Sequence, residues 1–205
     1  RAAAKELAGR VNLPNSNVAT LHALAYRLLE RPAIAETGKL AREWNAHNYG
    51  NWAIGDPSMD LEDGIEPTAD HGRALAFYNL ARARLAPNPG GVAPRFVDAW
   101  EDYKKQTNSL DFADMISLAT DNFPEYPAPI KALVVDEAQD LTPAQWKRVR
   151  QWGAGETVEE FMVAGDDDQV LYSWLGARPD EFLVDLPASQ MRVLAQSYRL
   201  PRVIH

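Results

Sequence analysis

The 205-residue chain contains no cysteine. Disulfide bridges and thiolate metal sites are therefore excluded, and a reducing compartment is favoured. The four histidines lie far apart in the sequence, which argues against a zinc cluster. No apolar run approaches the roughly 18 residues of a membrane span, and no signal peptide is visible. We therefore expect a cytoplasmic protein that does not use a membrane as a partner.

Basic residues are fewer than acidic ones. The chain has 21 Lys and Arg against 29 Asp and Glu, a net charge of −8. This balance argues against a protein that coats nucleic acid over much of its surface, but it permits a local groove with a few phosphate contacts. The hydrophobic fraction of 46% is sufficient for a packed core.

Apolar segments that alternate with helical patterns predict an α/β fold with a parallel sheet. The helical patterns cover LHALAYRLLE (21–30), SLDFADMISLAT (109–120) and LTPAQWKRVRQW (141–152). Thr20 is the expected N-cap of the first, and Thr142 and Gln145 form the expected capping box of the last. The expected strands are NVAT (17–20), a buried IKALVV (130–135), EEFMVAG (159–165) and, as a third strand of the sheet, MRVLA (191–195).

Residues 31–106 differ from the rest of the chain. The segment 55–72 is polar and rich in turn-forming residues, without strand alternation. A helical pattern then places Phe96, Trp100 and Tyr103 on one face. We interpret 31–106 as a helical insertion.

Acidic residues follow two of the expected strands. Asp136 and Glu137 end the first, and Asp166, Asp167 and Asp168 end the second. Ligands of parallel sheets bind beyond the carboxyl ends of the strands. A carboxylate there suits a Mg²⁺ ion on the β- and γ-phosphates of a nucleotide, and a neighbouring Glu can activate water. Alternatively, acids at strand ends are solvated or cap the next helix.

A nucleotide site of this kind normally includes a phosphate loop, GxxxxGK[ST], and no such loop is found. The nearest segment is AIAETGKL (33–40). Its Gly38-Lys39 pair is followed by Leu40, the first glycine position is Ala33, and the surroundings resemble a helix rather than the end of a strand. We reject it as a phosphate loop.

Four further residues complete the nucleotide hypothesis. Gln169 follows the second acidic strand end, where an amide can sense a terminal phosphate, and Arg199 can supply a cation. Tyr172 and Trp174 lie beside a loop, as expected of a platform for unstacked bases, although aromatic residues more often belong to a core.

Six segments resemble the motifs of the UvrD/Rep-like superfamily 1 DNA helicases, in the order that this family has. They are AAAKEL (2–7), TLHALAYRLL (20–29), LDFADM (110–115), VVDEAQD (134–140), GDDDQVLYSWLGA (165–177) and SYRLP (197–201). The resemblance implies an incomplete RecA-like ATPase domain of the P-loop NTPase type, called 1A, formed by 1–30 and 107–205. Residues 31–106 would be its helical 1B insertion.

The resemblance also implies a role for each candidate residue. Asp136 is the expected Mg²⁺ ligand and Glu137 the catalytic base; Gln169 and Arg199 contact the γ-phosphate. The expected DNA contacts are Thr20 and His22 near the backbone of the DNA and Tyr172 and Trp174 against its bases. ATP and Mg²⁺ are the implied cofactors. Single-stranded DNA and duplex junctions are the implied partners, with accessory replication or repair proteins, and movement is 3′ to 5′.

Three departures from the family pattern qualify this expectation. The phosphate loop and the second RecA-like domain are missing, so we expect a piece of a longer protein that does not hydrolyse ATP by itself. Leu21 replaces an aromatic residue, and Leu175 replaces an arginine. Two alternatives stay open, namely the helicase module of a helicase–nuclease complex and a non-enzymatic DNA- or partner-binding module. A nuclease built on Asp136 and the 166–168 acids is a weaker third.

Overall fold

The structure consists of helices and short parallel strands, which agrees with the predicted α/β class. The computed structural model describes residues 18–47, 52–54, 73–86, 93–170, 176–178, 180–181, 184 and 188–194, without the side chains of Asp167 and Ala188. The helices in these residues are α1 (Leu21–Leu28), α2 (Gly38–Ala46), α3 (Arg73–Ala83), α4 (Pro94–Thr107), α5 (Phe112–Asn122) and α6 (Pro143–Gly153). The strands are β1 (Ala33–Ile34), β2 (Ser109–Leu110), β3 (Ala132–Val135) and β4 (Glu160–Val163). Short 3-10 turns cover Ala138–Asp140, Asp167–Gln169 and Ala188–Gln190.

The helix starts follow the local capping signals. The Thr20 hydroxyl accepts a hydrogen bond from the Ala23 amide at 3.2 Å, which begins α1. Thr142 and Gln145 form the expected capping box before α6, with Pro143 in the first turn. Each cap satisfies amides that the first helical turn leaves without intrahelical partners.

The strands form two parallel pairs. β1 pairs with β2, with Ala33 opposite Ser109. β3 pairs with β4 from Ala132 opposite Glu160 to Val135 opposite Val163. Since β3 and β4 run in the same direction, their carboxyl ends lie side by side, and the residues that follow Val135 and Val163 come together.

Three of the predicted strands need correction. The prediction that IKALVV is buried is wrong, because β3 alternates and Val134 is 60% exposed. One face of the β3–β4 pair packs towards α6 through Val135 and Val163, while Val134 and Met162 are exposed. Residues 18–20 are extended without a strand partner, and 191–194 form no strand, so those parts of the NVAT and MRVLA predictions are also wrong.

One ground for rejecting the Gly38-Lys39 segment is likewise wrong. The segment AIAETGKL (33–40) does contain a strand before its glycine, the two-residue β1, which pairs with β2. Its side chains still do not make a phosphate loop: the Lys39 side chain is 82% exposed and lies 3.4 Å from Glu43.

The buried residues separate into distinct cores. The largest joins α2, α3 and α4 and includes Phe96, Trp100 and Tyr103, which confirms the predicted helical face. All its buried members lie within 35–103; they are Ala35, Ala41, Trp44, Ile54, Leu75, Tyr78, Phe96, Trp100 and Tyr103. A second core joins α1, α5 and the start of α6, and a third lies between the β3–β4 pair and α6. None of the described helices has the length and apolar character that crossing a membrane requires.

Candidate active site

The site is built where β3 ends. Asp136 and Glu137 follow Val135 directly, and both are exposed. Glu137 has φ 52° and ψ 43°, a left-handed conformation, and the 3-10 turn Ala138–Asp140 follows it. This conformation costs a residue with a Cβ about 1–2 kcal/mol. Strained residues of this kind cluster at functional sites, which fits a role for this turn.

Gln139 holds the turn against the neighbouring strand, and sequence analysis missed it. Its side chain is 1% exposed. Its Nε2 donates to Glu137 Oε2 at 2.7 Å, and its Oε1 accepts from the Asp166 amide at 3.1 Å. The only signal for this role in the sequence is the presence of a glutamine within DEAQD. The amide group therefore connects the turn after β3 with the residues after β4.

Backbone hydrogen bonds bring the two strand ends together at the same place. The Ala164 amide donates to the Val135 carbonyl at 2.8 Å, and the Ala138 amide donates to the Ala164 carbonyl at 2.9 Å. Gly165 follows, and a Cβ at this position would lie 2.7 Å from Gln139 Oε1. A glycine is thus required for Gln139 to approach the backbone so closely.

The residues after β4 form their own turn. The Asp166 carboxylate accepts from the Asp168 amide at 3.1 Å and from the side-chain amide of Gln169. Asp166 therefore caps the 3-10 turn that contains Gln169, as the alternative interpretation of strand-end acids predicted. Gln169 is exposed, so its amide is accessible to a ligand.

The predicted DNA-backbone residues lie at the start of α1. Between them, Leu21 packs against the core that lies between the β3–β4 pair and α6. Thr20 is exposed, and its hydroxyl is engaged in capping α1. His22 is half-buried and lies edge-on to the Phe112 ring, with ring centroids 5.8 Å apart. Burial lowers the pKa of His22, opposed by its hydrogen bond to the Phe112 backbone. At neutral pH it is therefore uncharged.

The structure brings together only part of the predicted set. Asp136, Glu137 and Gln169 lie at adjacent strand ends. Tyr172, Trp174 and Arg199 lie outside the described residues. Among the described residues, no group of three or more His, Asp or Glu side chains could hold a metal ion. This gives no support to a nuclease centre of clustered carboxylates. It is compatible with Mg²⁺, which binds through one or two carboxylates together with phosphate oxygens.

Several known proteins are similar to this chain in sequence. A sequence profile of the UvrD/REP helicase N-terminal domain matches residues 78–187, just over half of the chain. The ATP-dependent DNA helicase Rep of Salmonella typhimurium is 39% identical over 110 residues, which cover 49% of this chain and 16% of that protein. Rep of Escherichia coli K12 is 36% identical over 156 residues, covering 71% of this chain and 23% of that protein.

A third relative extends the similarity over most of the sequence. DNA helicase II of Salmonella typhimurium is 34% identical over 217 aligned positions, which cover 89% of this chain and 28% of that protein. The chain thus spans between 16% and 28% of the lengths of these three relatives.

Proposed function

Because the chain belongs to the UvrD/REP helicase N-terminal domain family, we propose that it is part of an ATP-dependent DNA helicase that moves 3′ to 5′ on single-stranded DNA. The observation that carries this proposal is the pair of acids at the end of β3, tied by Gln139 to the end of β4. Two of the three relatives are named ATP-dependent DNA helicases and the third a DNA helicase, which supports the helicase activity; the direction of movement is proposed from the sequence motifs.

Each acid has a distinct proposed role. Asp136 would hold a Mg²⁺ ion, which neutralises charge on the β- and γ-phosphates of ATP when bound. Glu137 would orient and deprotonate the attacking water. Gln169, exposed at the end of β4, would contact the γ-phosphate, and Arg199 would add a cation there.

The proposed domain organisation is a RecA-like domain 1A, 1–30 and 107–205, interrupted by a 1B insertion at 31–106. The division of the cores supports it, since the members of the α2–α4 core all lie within 35–103. Residues of the other two cores lie outside that range. The parallel β1–β2 pair joins the two parts.

DNA would bind on the side of the domain where α1 begins. We assign Thr20 and His22 to the DNA backbone and Tyr172 and Trp174 to its bases. Because the Thr20 hydroxyl caps α1, a phosphate contact from this position would use the amides of the first helical turn together with the hydroxyl. Duplex junctions and accessory replication or repair proteins are the proposed further partners.

The 205-residue chain alone should not turn over ATP. It contains no GxxxxGK[ST] segment, and the Gly38-Lys39 segment has an exposed lysine paired with Glu43. Phosphate cradling by backbone amides and a lysine is thus missing from these residues. ATP turnover by the purified chain that Glu137→Gln abolishes would contradict this part of the proposal.

The central experiment measures DNA-stimulated ATP hydrolysis and unwinding by the full-length protein that contains this chain. Glu137→Gln should lower kcat by about 10²–10⁴-fold, the usual contribution of a general base. Glu159→Gln is the matched control, because Glu159 is 67% exposed and forms a surface ion pair with Lys131 at 3.0 Å. Duplexes with a 3′ single-stranded tail should be unwound and those with a 5′ tail should not. Hydrolysis that survives Glu137→Gln would refute the assignment.

A further inference from the structure

Four residues form a hydrogen-bonded path across the two strand ends, which passes through both the backbone amide and the carboxylate of Asp166. Glu137 Oε2 accepts from Gln139 Nε2, and Gln139 Oε1 accepts from the Asp166 amide. The Asp166 carboxylate in turn accepts from the side-chain amide of Gln169. The path begins at the proposed base and ends at the proposed γ-phosphate contact, and Gln139 is its one fully buried member.

The orientation of the Gln139 amide is determined by its partners. A backbone N–H can only donate, so the atom facing Asp166 must be the oxygen. A carboxylate can only accept, so the atom facing Glu137 must be the nitrogen. Both contacts are satisfied in one orientation of the amide and neither in the other. A glutamine side chain can therefore donate to Glu137 after β3 and accept from the Asp166 amide after β4 at the same time.

The surroundings leave Gln139 little freedom. Its side chain is 1% exposed and lies against Gly165, where any Cβ would collide with its oxygen at 2.7 Å. Glu137, by contrast, is exposed and sits in a left-handed turn. An exposed glutamate side chain has many rotamers, and one hydrogen bond from a fixed donor restricts them. The buried Gln139 side chain thus restricts the exposed Glu137 side chain.

We propose that Gln139 is a positioning residue that holds the carboxylate of Glu137 in a fixed place relative to the turn containing Asp166 and Gln169. This inference rests on the proposed function, in which Glu137 is the base. It assigns Gln139 no contact with ATP. Through Gln139, the orientation of the Glu137 carboxylate depends on the position of the turn after β4, which contains the proposed γ-phosphate contact Gln169.

Two substitutions separate the two arms of the amide. Gln139→Glu keeps an oxygen for the Asp166 amide but removes the donor to Glu137 and puts a second carboxylate beside it. Gln139→Met keeps the shape and removes both arms. Gln145→Glu is the matched control: it makes the same chemical change six residues later, and its oxygen still accepts from the Thr142 amide, a bond of 2.8 Å in this protein.

The test is steady-state ATP hydrolysis by the full-length protein with saturating single-stranded DNA. Gln139→Met should lower kcat by about 10- to 100-fold, the usual loss when a residue that orients a functional group is removed. The KM for ATP should change far less, since Gln139 touches no substrate. Gln145→Glu should keep both constants.

A double-mutant cycle distinguishes positioning from a structural role. If Gln139 acts through Glu137, Gln139→Met should lower the kcat of the wild type but should not lower further the residual kcat of Glu137→Gln. Gln139→Glu should also lower kcat, because it lacks the donor to Glu137. A loss of packing alone would lower kcat by the same factor with and without Glu137→Gln.

The results separate the two proposals. If Glu137→Gln lowers kcat as expected while both Gln139 variants keep the kcat of the wild type, the inference is overturned and the proposed function stands. If Gln139→Met lowers kcat by the same factor with and without Glu137→Gln, Gln139 is structural and the inference is again overturned. If Glu137→Gln remains active, the proposed function fails and this inference with it.

Discussion

Lys104 Nζ lies 2.7 Å from Oδ2 of Asp111, and neither side chain is accessible, with 4% of Lys104 and none of Asp111 exposed. Asp111 also accepts from Arg82 Nη1 at 3.0 Å and from Trp100 Nε1 at 3.1 Å. Lys104 reaches a second carboxylate, Asp114, at 2.7 Å. Because Arg82 lies on α3, Lys104 on α4 and the two Asp residues at the start of α5, this ion cluster joins three helices.

Lys104→Met should strongly destabilise the chain. Removal of one partner leaves buried carboxylates without full compensation, which costs about 3–5 kcal/mol. Lys105→Met, the neighbouring control, should cost less than about 1 kcal/mol, because Lys105 is 75% exposed and lies 3.7 Å from an exposed Asp102. Urea unfolding followed by tryptophan fluorescence measures both. Equal losses in the two variants would contradict the idea that the buried cluster stabilises the junction.

Glu36 gives the same junction a pH dependence. Burial, and then the charge of Asp111, raise the pKa of Glu36 to about 7, although it accepts from the Phe112 amide at 3.0 Å and has Lys104 nearby. The pKa of Glu36 is near 4.5 in the unfolded chain, so between pH 4.5 and about 7 the folded state binds more protons at Glu36 than the unfolded state does. Stability should therefore fall as pH rises from about 4.5 to 7, by roughly 2–3 kcal/mol in total.

Glu36→Gln isolates this contribution. The variant keeps an acceptor for the Phe112 amide and should gain stability relative to the wild type as pH rises, up to about pH 8. Comparison of the two proteins at each pH removes the contribution of His22, whose lowered pKa gives a slope of the opposite sign. Asp114 titrates below its ordinary range and does not contribute in this window.

Glu43→Gln on α2, where the side chain is 40% exposed, is the control and should show no such gain. A constant difference between Glu36→Gln and the wild type would be evidence against a raised pKa.

Features set by neighbouring residues were predictable from the sequence. The caps at Thr20 and Thr142 depend on side chains within three residues, and the apolar face of α4 depends on helical spacing alone. The acids at the ends of β3 and β4 could be identified for the same reason, since each follows its own strand.

Features that join distant segments were not predictable. β1 and β2 have two residues each and exist through pairing across more than seventy positions. The partner of Gln139, the Asp166 amide, lies 27 residues away, so DEAQD alone does not show which strand end its glutamine contacts. The alternation of β3 depends on which face α6 covers, and an apolar run looks the same whether one face or two are buried.

Gly165→Ala should disturb the contact between the two strand ends. Its Cβ would lie 2.7 Å from Gln139 Oε1 and 3.2 Å from the Gln139 backbone nitrogen, so the turn after β3 must move. We expect a loss of about 1–3 kcal/mol and faster hydrogen exchange at the Asp166 amide. Gly38→Ala is the contrast: it has open space around its Cβ but φ +57°, so it should cost stability through its backbone without affecting that amide. Unchanged exchange in Gly165→Ala would show that the strand ends tolerate the methyl group.

Arg148 tests whether a buried guanidinium whose partners among the described residues are backbone carbonyls stabilises this fold. Its side chain is 1% exposed and donates to the carbonyls of Ala119, Thr120 and Phe123 at the end of α5. It also lies 4.1 Å from the centre of the Trp152 ring. Burial lowers the pKa of Arg148 to about 10, opposed by the charge of Asp121. Desolvation of the guanidinium therefore opposes the stability gained from its hydrogen bonds. Replacement of Arg148 by Met, which cannot donate to the three carbonyls, shows which of the two contributions is larger.

Arg148→Met should lose about 2–4 kcal/mol, because buried acceptors left without a donor cost about 1–3 kcal/mol each. Trp152 Nε1 still donates to the Phe123 carbonyl at 3.2 Å, which limits the loss. The stability of Arg148→Lys should lie between that of the wild type and that of Arg148→Met, since one ammonium group reaches fewer carbonyls than a guanidinium group. Lys147→Met, an exposed neighbour on α6, should be near neutral in the same unfolding assay. If Arg148→Met is as stable as the wild type, desolvation outweighs these hydrogen bonds, and the end of α5 is held by the packing of Trp152 alone.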